Sequence, residues 1–255
     1  MTTTPLYLDW TFWNSIAAGA AVLVSLWPYI KAKLGRRKVS IELNERLLVS
    51  HMVGHANAMS YIALRNVGTK AARLTGLRMT FSREGRAPFS LDGMSLFLQL
   101  NDEKSVIFVS KTLTPGEEWG HTVHFAERLS QYDDRTLGEM RAALRVDIGA
   151  KATARDRLPE GDARRNEFVR AEEATVRPLI ESFDRAFKWE PGEYQLTAEA
   201  RLESGEVLAK RGRFTLYPAD TAEMRGYVDD YWHGFGAGIE VAKHAGVFVK
   251  LTLEA

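Results

Sequence analysis

The chain has no cysteine among its 255 residues. Disulfides, thiolate-bound metals, iron–sulfur clusters and a cysteine nucleophile are therefore excluded. An excess of one charge is lacking too: 34 basic residues face 33 acidic ones, for a net charge of +1. Nucleic-acid binding wants a concentrated basic face. None stands out, and no nucleic-acid partner is expected. Long Gly/Ser-rich or Pro-rich linkers and low-complexity tracts are missing, as are a Gly-x-Ser-x-Gly elbow, a phosphate loop and a dinucleotide fingerprint. No cofactor is indicated, and no catalytic motif points to an enzyme.

One long apolar run is present. Trp10 to Ile30 carries no charge, bracketed by Asp9 and Lys31. As a helix it would be about 30 Å long, the thickness of a bilayer's hydrocarbon core. Trp10 and Trp13 sit at one end, Trp27 and Tyr29 at the other, as amphipathic aromatics do at headgroup level. Lys31, Lys33, Arg36, Arg37 and Lys38 follow directly. Cations resist translocation, so this cluster predicts an N-terminus outside and the remainder in the cytoplasm, at a bacterial inner membrane. A cleaved signal peptide would put its cations before the apolar run, whereas here they come after it. An uncleaved anchor carrying an exported domain is the other alternative. Within the run, Ser15, Ala17, Gly19 and Ala21 follow small-xxx-small spacing, which lets helix backbones approach closely. The same residues serve equally in a plain anchor.

Past residue 38 the dominant period is two, the mark of half-buried strands. Strands are expected at 39–43, 60–66, 74–81, 94–100 and 106–110, then with Trp119, His121, Val123 and Phe125 on one face, and with Ala142, Leu144, Val146 and Ile148 on one face. Residues 158–188 are highly charged, with Phe168, Leu179, Ile180, Phe183 and Phe187 at helical intervals. A helix is expected from about Thr175, with Pro178 in its first turn, after a short one near 163–173. Strands resume at 194–202 and 207–217. A helix capped by Asp220 or Thr221 follows, ending at Gly234-Phe-Gly-Ala-Gly238, and a last strand covers 247–253.

Three pieces stand in a telling order: Tyr61-Ile-Ala-Leu-Arg-Asn66-Val-Gly68-Thr-Lys-Ala71-Ala72, then Leu113-Thr-Pro115-Gly116-Glu117, then Pro191-Gly192-Glu193-Tyr194. Asn-x-Gly offers side-chain bonding and positive φ in a turn, and Pro-Gly fits a type II turn. The pattern resembles bacterial immunoglobulin-like modules of the CARDB and related types. The resemblance spans about 39–217, apart from the long stretch Glu127–Glu190, which such modules usually lack. It implies an antiparallel β-sandwich serving as an adhesive, spacer or binding unit, and carries over no catalytic residue. One sandwich is preferred to two, because each half has too few strands alone.

Histidines pair as His51-x3-His55 and His121-x2-His124, but on a strand the second pair faces opposite ways. No metal site is expected. The acidic neighbours Asp133-Asp134, Glu172-Glu173 and Asp229-Asp230 read as solvated charge. Tyr227, Tyr231, Trp232 and Phe235 cluster near the C-terminus. They suit either a partner contact or, more commonly, a helix face packed on the sheet.

The resulting expectation is a mainly β protein. A tail over 1–9 precedes a transmembrane helix over 10–30 and a basic segment over 31–38. An immunoglobulin-like sandwich with a charged helical insert covers 39–217, and a C-terminal helix and strand cover 218–255. Its partners would be the bilayer and either a protein or further copies of itself through the helix. The expected role is a non-catalytic scaffold or sensor. Alternatives are a membrane effector whose helices assemble on triggering, and an exported adhesion or envelope module.

Overall fold

The computed structural model describes residues 10–34, 38–98, 104–237 and 246–254, the first helix from Pro28 onward by its backbone alone. That helix, α1, runs Trp10–Leu34. Every side chain from Trp10 to Trp27 is exposed, so no face of it packs on the rest of the chain. Its hydroxyls bond inward, Ser15 Oγ to the Thr11 carbonyl at 2.9 Å and Ser25 Oγ to the Val22 carbonyl at 2.8 Å. Such bonds let serine sit in an apolar environment without an orphaned donor. By length and composition the helix can cross a membrane, a test that a signal sequence also passes.

The remaining strands and helices follow as β1 (Val39–Leu43), β2 (Arg46–Met52), β3 (His55–Asn66), β4 (Ala72–Arg83), β5 (Phe89–Phe97), β6 (Val106–Ile107), β7 (Lys111–Leu113), β8 (Glu118–Ala126), α2 (Gln131–Asp156), α3 (Glu173–Ala186), β9 (Gly192–Leu202), β10 (Val207–Leu216), α4 (Pro218–Gly226), β11 (Val247–Lys250) and β12 (Thr252–Leu253). Every strand pairing is antiparallel, and the strands join one sheet with the path β11-β2-β3-β8-β5-β4-β9-β10-β12, from which β1 pairs with β3, β6 with β5 and β7 with β4.

The last strand closes this sheet. β11 pairs with β2 at one edge, and β12 pairs with β10 at the other. Between them the Leu251 N–H donates to the Glu45 carbonyl at 2.7 Å. A continuous strand thus covers both edges, leaving a nearly closed barrel with little unpaired backbone. Gly212 makes room for it: a Cβ there would lie 3.1 Å from Leu253 Cδ2 and 3.3 Å from the Thr252 carbonyl oxygen. Inward side chains fill the barrel by alternation, as Tyr194, Leu196, Ala198, Ala200 and Leu202 do along β9.

Register gives the barrel two unlike ends. Val39, Asn66, Ala72, Leu113 and Leu202 lie at the end where the chain arrives from α1, called the α1 end below. Met52, His55, Phe81, Phe89, Ala126 and Tyr194 lie towards the other. Both helical stretches, 127–191 and 217–237, leave from and return to this second, helical end.

Several local expectations are corrected. Residues 142–148 are helix, not strand: Leu137, Leu144 and the half-buried Met140 and Ile148 share the inward stripe of α2, while Val146 is 72% exposed. The period-two pattern was a short coincidence within a 3.6-period segment. The helical insert therefore begins at Gln131, well before 158. β2 belongs to the sheet although its sequence, Arg-Leu-Leu-Val-Ser-His-Met, barely alternates. A bulge between Gly93 and Ser95 resets β5, so Leu91 and Leu96 are both buried while Met94 at the bulge is exposed; Leu98, exposed, lies past the end of the strand. The expected strand at 106–110 shortens to two residues. Leu100 lies outside the described residues. α3 starts at Glu173, with Pro178 one turn further in than expected. α4 starts after Tyr217, whose backbone N–H is capped by the Asp220 carboxylate at 2.8 Å.

Candidate functional site

The helical end is organised around one tryptophan. After α3 the chain runs Phe187-Lys188-Trp189-Glu190, turning tightly where the Glu190 N–H donates to the Lys188 carbonyl at 3.0 Å; Phe187 and Trp189 are buried, Lys188 and Glu190 half-buried. Trp189 is fully buried. Its indole donates to the Ser50 carbonyl at 2.6 Å, and its ring meets Phe81 and Phe89 edge-on at 5.1 and 5.2 Å. Thr221 Oγ1 secures its carbonyl at 3.1 Å. With Trp189 pinned, Lys188 and Glu190 are held at the surface on either side of it.

Around Glu190 lies a cleft of about 350 Å³. Arg83, at the end of β4, bonds both the Glu190 carboxylate and the Pro191 carbonyl. Arg86, from the turn that follows, reaches the same carboxylate at 3.0 and 3.1 Å. Phe89 and Pro88 form the apolar side, and the Lys188 ammonium lies 5.5 Å from the centroid of the Phe89 ring. Tyr194 closes the base. Its hydroxyl accepts from the Glu190 N–H at 3.1 Å and donates to the Glu190 carbonyl at 2.9 Å.

A second cleft, of about 500 Å³, shares Lys188 with the first. It is lined by His55, Glu127, Tyr132 and Arg185 among others. Glu127 Oε1 pairs with Lys188, and His55 Nδ1 lies 3.5 Å from Glu127 Oε2, too long for a sound hydrogen bond. Both of those last atoms are buried and lack a hydrogen-bond partner among the described residues. His55 and Lys188 together hold the Glu127 carboxyl down at about 2, against the opposing effect of burial. The two clefts thus form one surface in which Arg83, Arg86, Lys188 and His55 face two carboxylates across an aromatic floor.

The β2–β3 turn underlies this surface. Val53 and Gly54 both have positive φ, 50° and 83°, the conformation of a tight hairpin turn. Such a φ is strained for a β-branched residue, and Val53 is completely buried. A Cβ on Gly54 would sit 2.5 Å from the Phe183 carbonyl oxygen, so only glycine lets α3 press onto the turn. His51 beside it donates from Nε2 to the Met224 carbonyl at 2.8 Å and accepts the Gly54 N–H at Nδ1, 3.3 Å away. Burial among Phe183, Phe187 and Tyr227 lowers its pKa. His51 and His55 are therefore separated in role, the first a structural core residue and the second a cleft residue. Among the described residues no three His, Asp or Glu side chains gather as a metal would require.

The residues singled out in the sequence fall in three places. Trp10, Trp13 and Trp27, with Ser15, Ala17, Gly19 and Ala21, are exposed on α1. Lys38 is exposed at the first position of the barrel, its carbonyl accepting from Val67 N–H at 2.9 Å. The side chains of Tyr29, Lys31 and Lys33, and all of Arg36 and Arg37, lie outside the described residues. Tyr227 and Tyr231 are core residues, which removes them from any partner contact. Trp232 and Phe235 are half-buried, Trp232 under the Arg170 guanidinium at 4.4 Å and Phe235 beside Phe168. The cleft itself has no signal in the sequence. Arg83 and Arg86 stand more than a hundred residues from Lys188 and Glu190, and only the β4–β9 pairing, Arg83 opposite Tyr194, brings them together.

The class defined by these features is an antiparallel β-barrel, capped by helices at one end and preceded at the other by an unpacked apolar helix. No sequence family matches the chain, and no curated protein does. Among solved structures it is similar to a Bordetella pertussis protein described as ApaA (9% identity, 71% of this chain and 94% of that one, TM-score 0.29). Others are a protein from Archaeoglobus fulgidus (9%, 71% and 98%, TM-score 0.26) and a late embryogenesis abundant protein (7%, 80% and 86%, TM-score 0.27). Scores this low establish neither fold nor function.

Proposed function

We propose that this chain is a single-pass membrane protein whose barrel is a non-catalytic binding module, holding a ligand or protein partner at the cytoplasmic face of a bacterial inner membrane. One observation carries the reading. The apolar helix joins the barrel at one end, and the shared cationic and aromatic cleft opens at the opposite end, where an anchored domain presents a surface to the aqueous phase. The cleft suits a group that is polar at one end and apolar at the other, because Arg83, Arg86 and Lys188, paired with Glu190 and Glu127, border Phe89 and Pro88. The expected two-sheet sandwich gives way to one sheet nearly closed on itself, so the immunoglobulin-like resemblance rests on local turns alone: the Asn66 amide joins its first two pieces, donating to the Lys70 and Leu113 carbonyls at 2.9 Å each and accepting from Gly68 N–H at 3.0 Å.

The test is affinity capture with the full-length chain in detergent, comparing wild type with Arg86→Glu. Arg86 is exposed, so its replacement spares the fold. A partner recovered by the wild type and lost from the variant supports the reading. A partner retained equally by both, or turnover of a substrate, refutes it. A reporter fused after Ala255 reads the side of the membrane. The effector reading keeps one support, the uncovered Ser15–Ala21 face. It predicts toxicity on triggering that Gly19→Leu abolishes, whereas a plain anchor tolerates that change.

A further inference from the structure

The α1 end of the barrel carries an apolar surface that the binding reading does not use. β4 and β5 pair at Arg78–Phe81 but part towards this end, and β6 and β7 fill the gap, β6 against β5 and β7 against β4. Phe108 turns inward onto Trp119, with ring centroids 6.4 Å apart. The neighbouring side chains turn outward: Ile107 is 79% exposed, Val109 69% and Leu98 58%. Val106 and Met94, on the paired strands β6 and β5, are exposed too, and so is Val67 on the loop after β3. Water-facing loops seldom gather so many aliphatic side chains, and a patch of this kind marks a contact.

The covalent chain says what that contact is. Lys38, at the barrel's first position, is four residues beyond Leu34, the last residue of α1. Four links reach at most about 15 Å. Val67 is hydrogen-bonded to Lys38 directly. Once α1 spans a bilayer, the barrel end bearing these aliphatic groups is tethered within about 20 Å of the hydrocarbon boundary, counting the last helical turn. Nothing on the opposite end is so placed. Two carboxylates of this end are engaged, Glu117 by Lys111 and Glu203 by Arg73. Outward aliphatic groups suit the headgroup–acyl boundary.

We infer that the barrel docks on the bilayer through Leu98, Val106, Ile107 and Val109, so the protein touches lipid twice, once with α1 and once with this rim. The inference rests on the membrane reading above, and its test separates the two. Because the chain lacks cysteine, single labels are unambiguous. An environment-sensitive fluorophore is placed in the full-length protein at Ile107→Cys, at Glu84→Cys on the opposite end, or at Leu23→Cys within α1. Each is reconstituted in nanodiscs of phosphatidylcholine and phosphatidylglycerol carrying a lipid-borne quencher. The expected result is several-fold stronger quenching at Ile107 than at Glu84, with Leu23 quenched most. Quenching at Leu23 together with a water-exposed Ile107 label overturns the docking and leaves the anchor standing. A water-exposed Leu23 label overturns both. An Ile107 label shielded from water yet beyond the quencher's reach means a protein contact, and also overturns the docking. In a second variant, Ile107→Asp, a label at Val109→Cys should lose its quenching while the thermal midpoint stays unchanged. Retained quenching counts against the proposal.

Discussion

The two ends of the barrel are built by different means. At the α1 end the loops are short and the key polar group is Asn66, buried and fully bonded to backbone. Ile107, Val109 and Leu98 stand exposed there, among charged residues such as Lys38 and the Arg73–Glu203 pair. At the helical end two long insertions cover the barrel mouth, the pinning residue is an aromatic plug, and the cleft beside it is bordered by arginine, lysine and carboxylates. The difference shows how one barrel separates two jobs. A surface meant for an apolar environment needs little beyond a few outward aliphatic groups, whereas a polar recognition surface needs its charges held in place. Here Trp189 supplies that support by fixing the connection between α3 and β9 from which Lys188 and Glu190 project.

The contrast can be broken most forcefully at Trp189. Trp189→Ala removes the largest fully buried side chain and should cost about 3–5 kcal/mol, read as a lowered denaturation midpoint. It should also abolish capture by the cleft while an Ile107 label still reports lipid. If lipid contact falls in parallel, the two ends are not independent.

Asn66→Ala tests the other end. It leaves the Leu113 carbonyl without its side-chain donor in a buried site, and a cost of about 2–3 kcal/mol is expected, with cleft binding preserved in the fraction that remains folded.

Acid should act on the helical end first. His51 is held neutral by burial, so between its lowered folded pKa and the unfolded value near 6.5 the unfolded chain binds the extra proton. Its share of stability is complete above about pH 6.5 and declines as pH falls below that. Glu127 works lower down. Its folded value of about 2 against 4.5 unfolded gives stability that is present above 4.5 and lost as pH falls towards 2. Denaturation midpoints measured across pH should show both phases, with His51→Gln flattening the upper and Glu127→Gln reducing the lower, which Glu117 and Asp162, held at about 2 by their own partners, share.

The smallest effects are expected at Arg86→Glu and Ile107→Asp. Both sites are exposed, and each change should move stability by less than about 0.5 kcal/mol while altering only the contact made at its own end. A large loss of stability from either would mean that the side chain supports the fold rather than a contact.

Much of the barrel could be read directly from residue order. The alternation in β8, β9 and β10 is clean because each of those strands buries one face, and the apolar run of α1 stands apart because it goes 21 residues without a charge. Both features are properties of consecutive residues. The helix at 142–148 was missed because four apolar residues happened to alternate where the stripe of α2 crosses them. The bulge at Gly93–Ser95 was invisible because pairing with β8, not local composition, sets it. The cleft and the closure of the sheet lie beyond any such reading. Arg83 meets Glu190 through strand pairing, and β11 meets β2 across some two hundred residues. Periodicity reports which face of an element is apolar, while proximity between distant segments is settled by register and packing, when a sheet with two exposed edges lowers its free energy by covering both with one final strand.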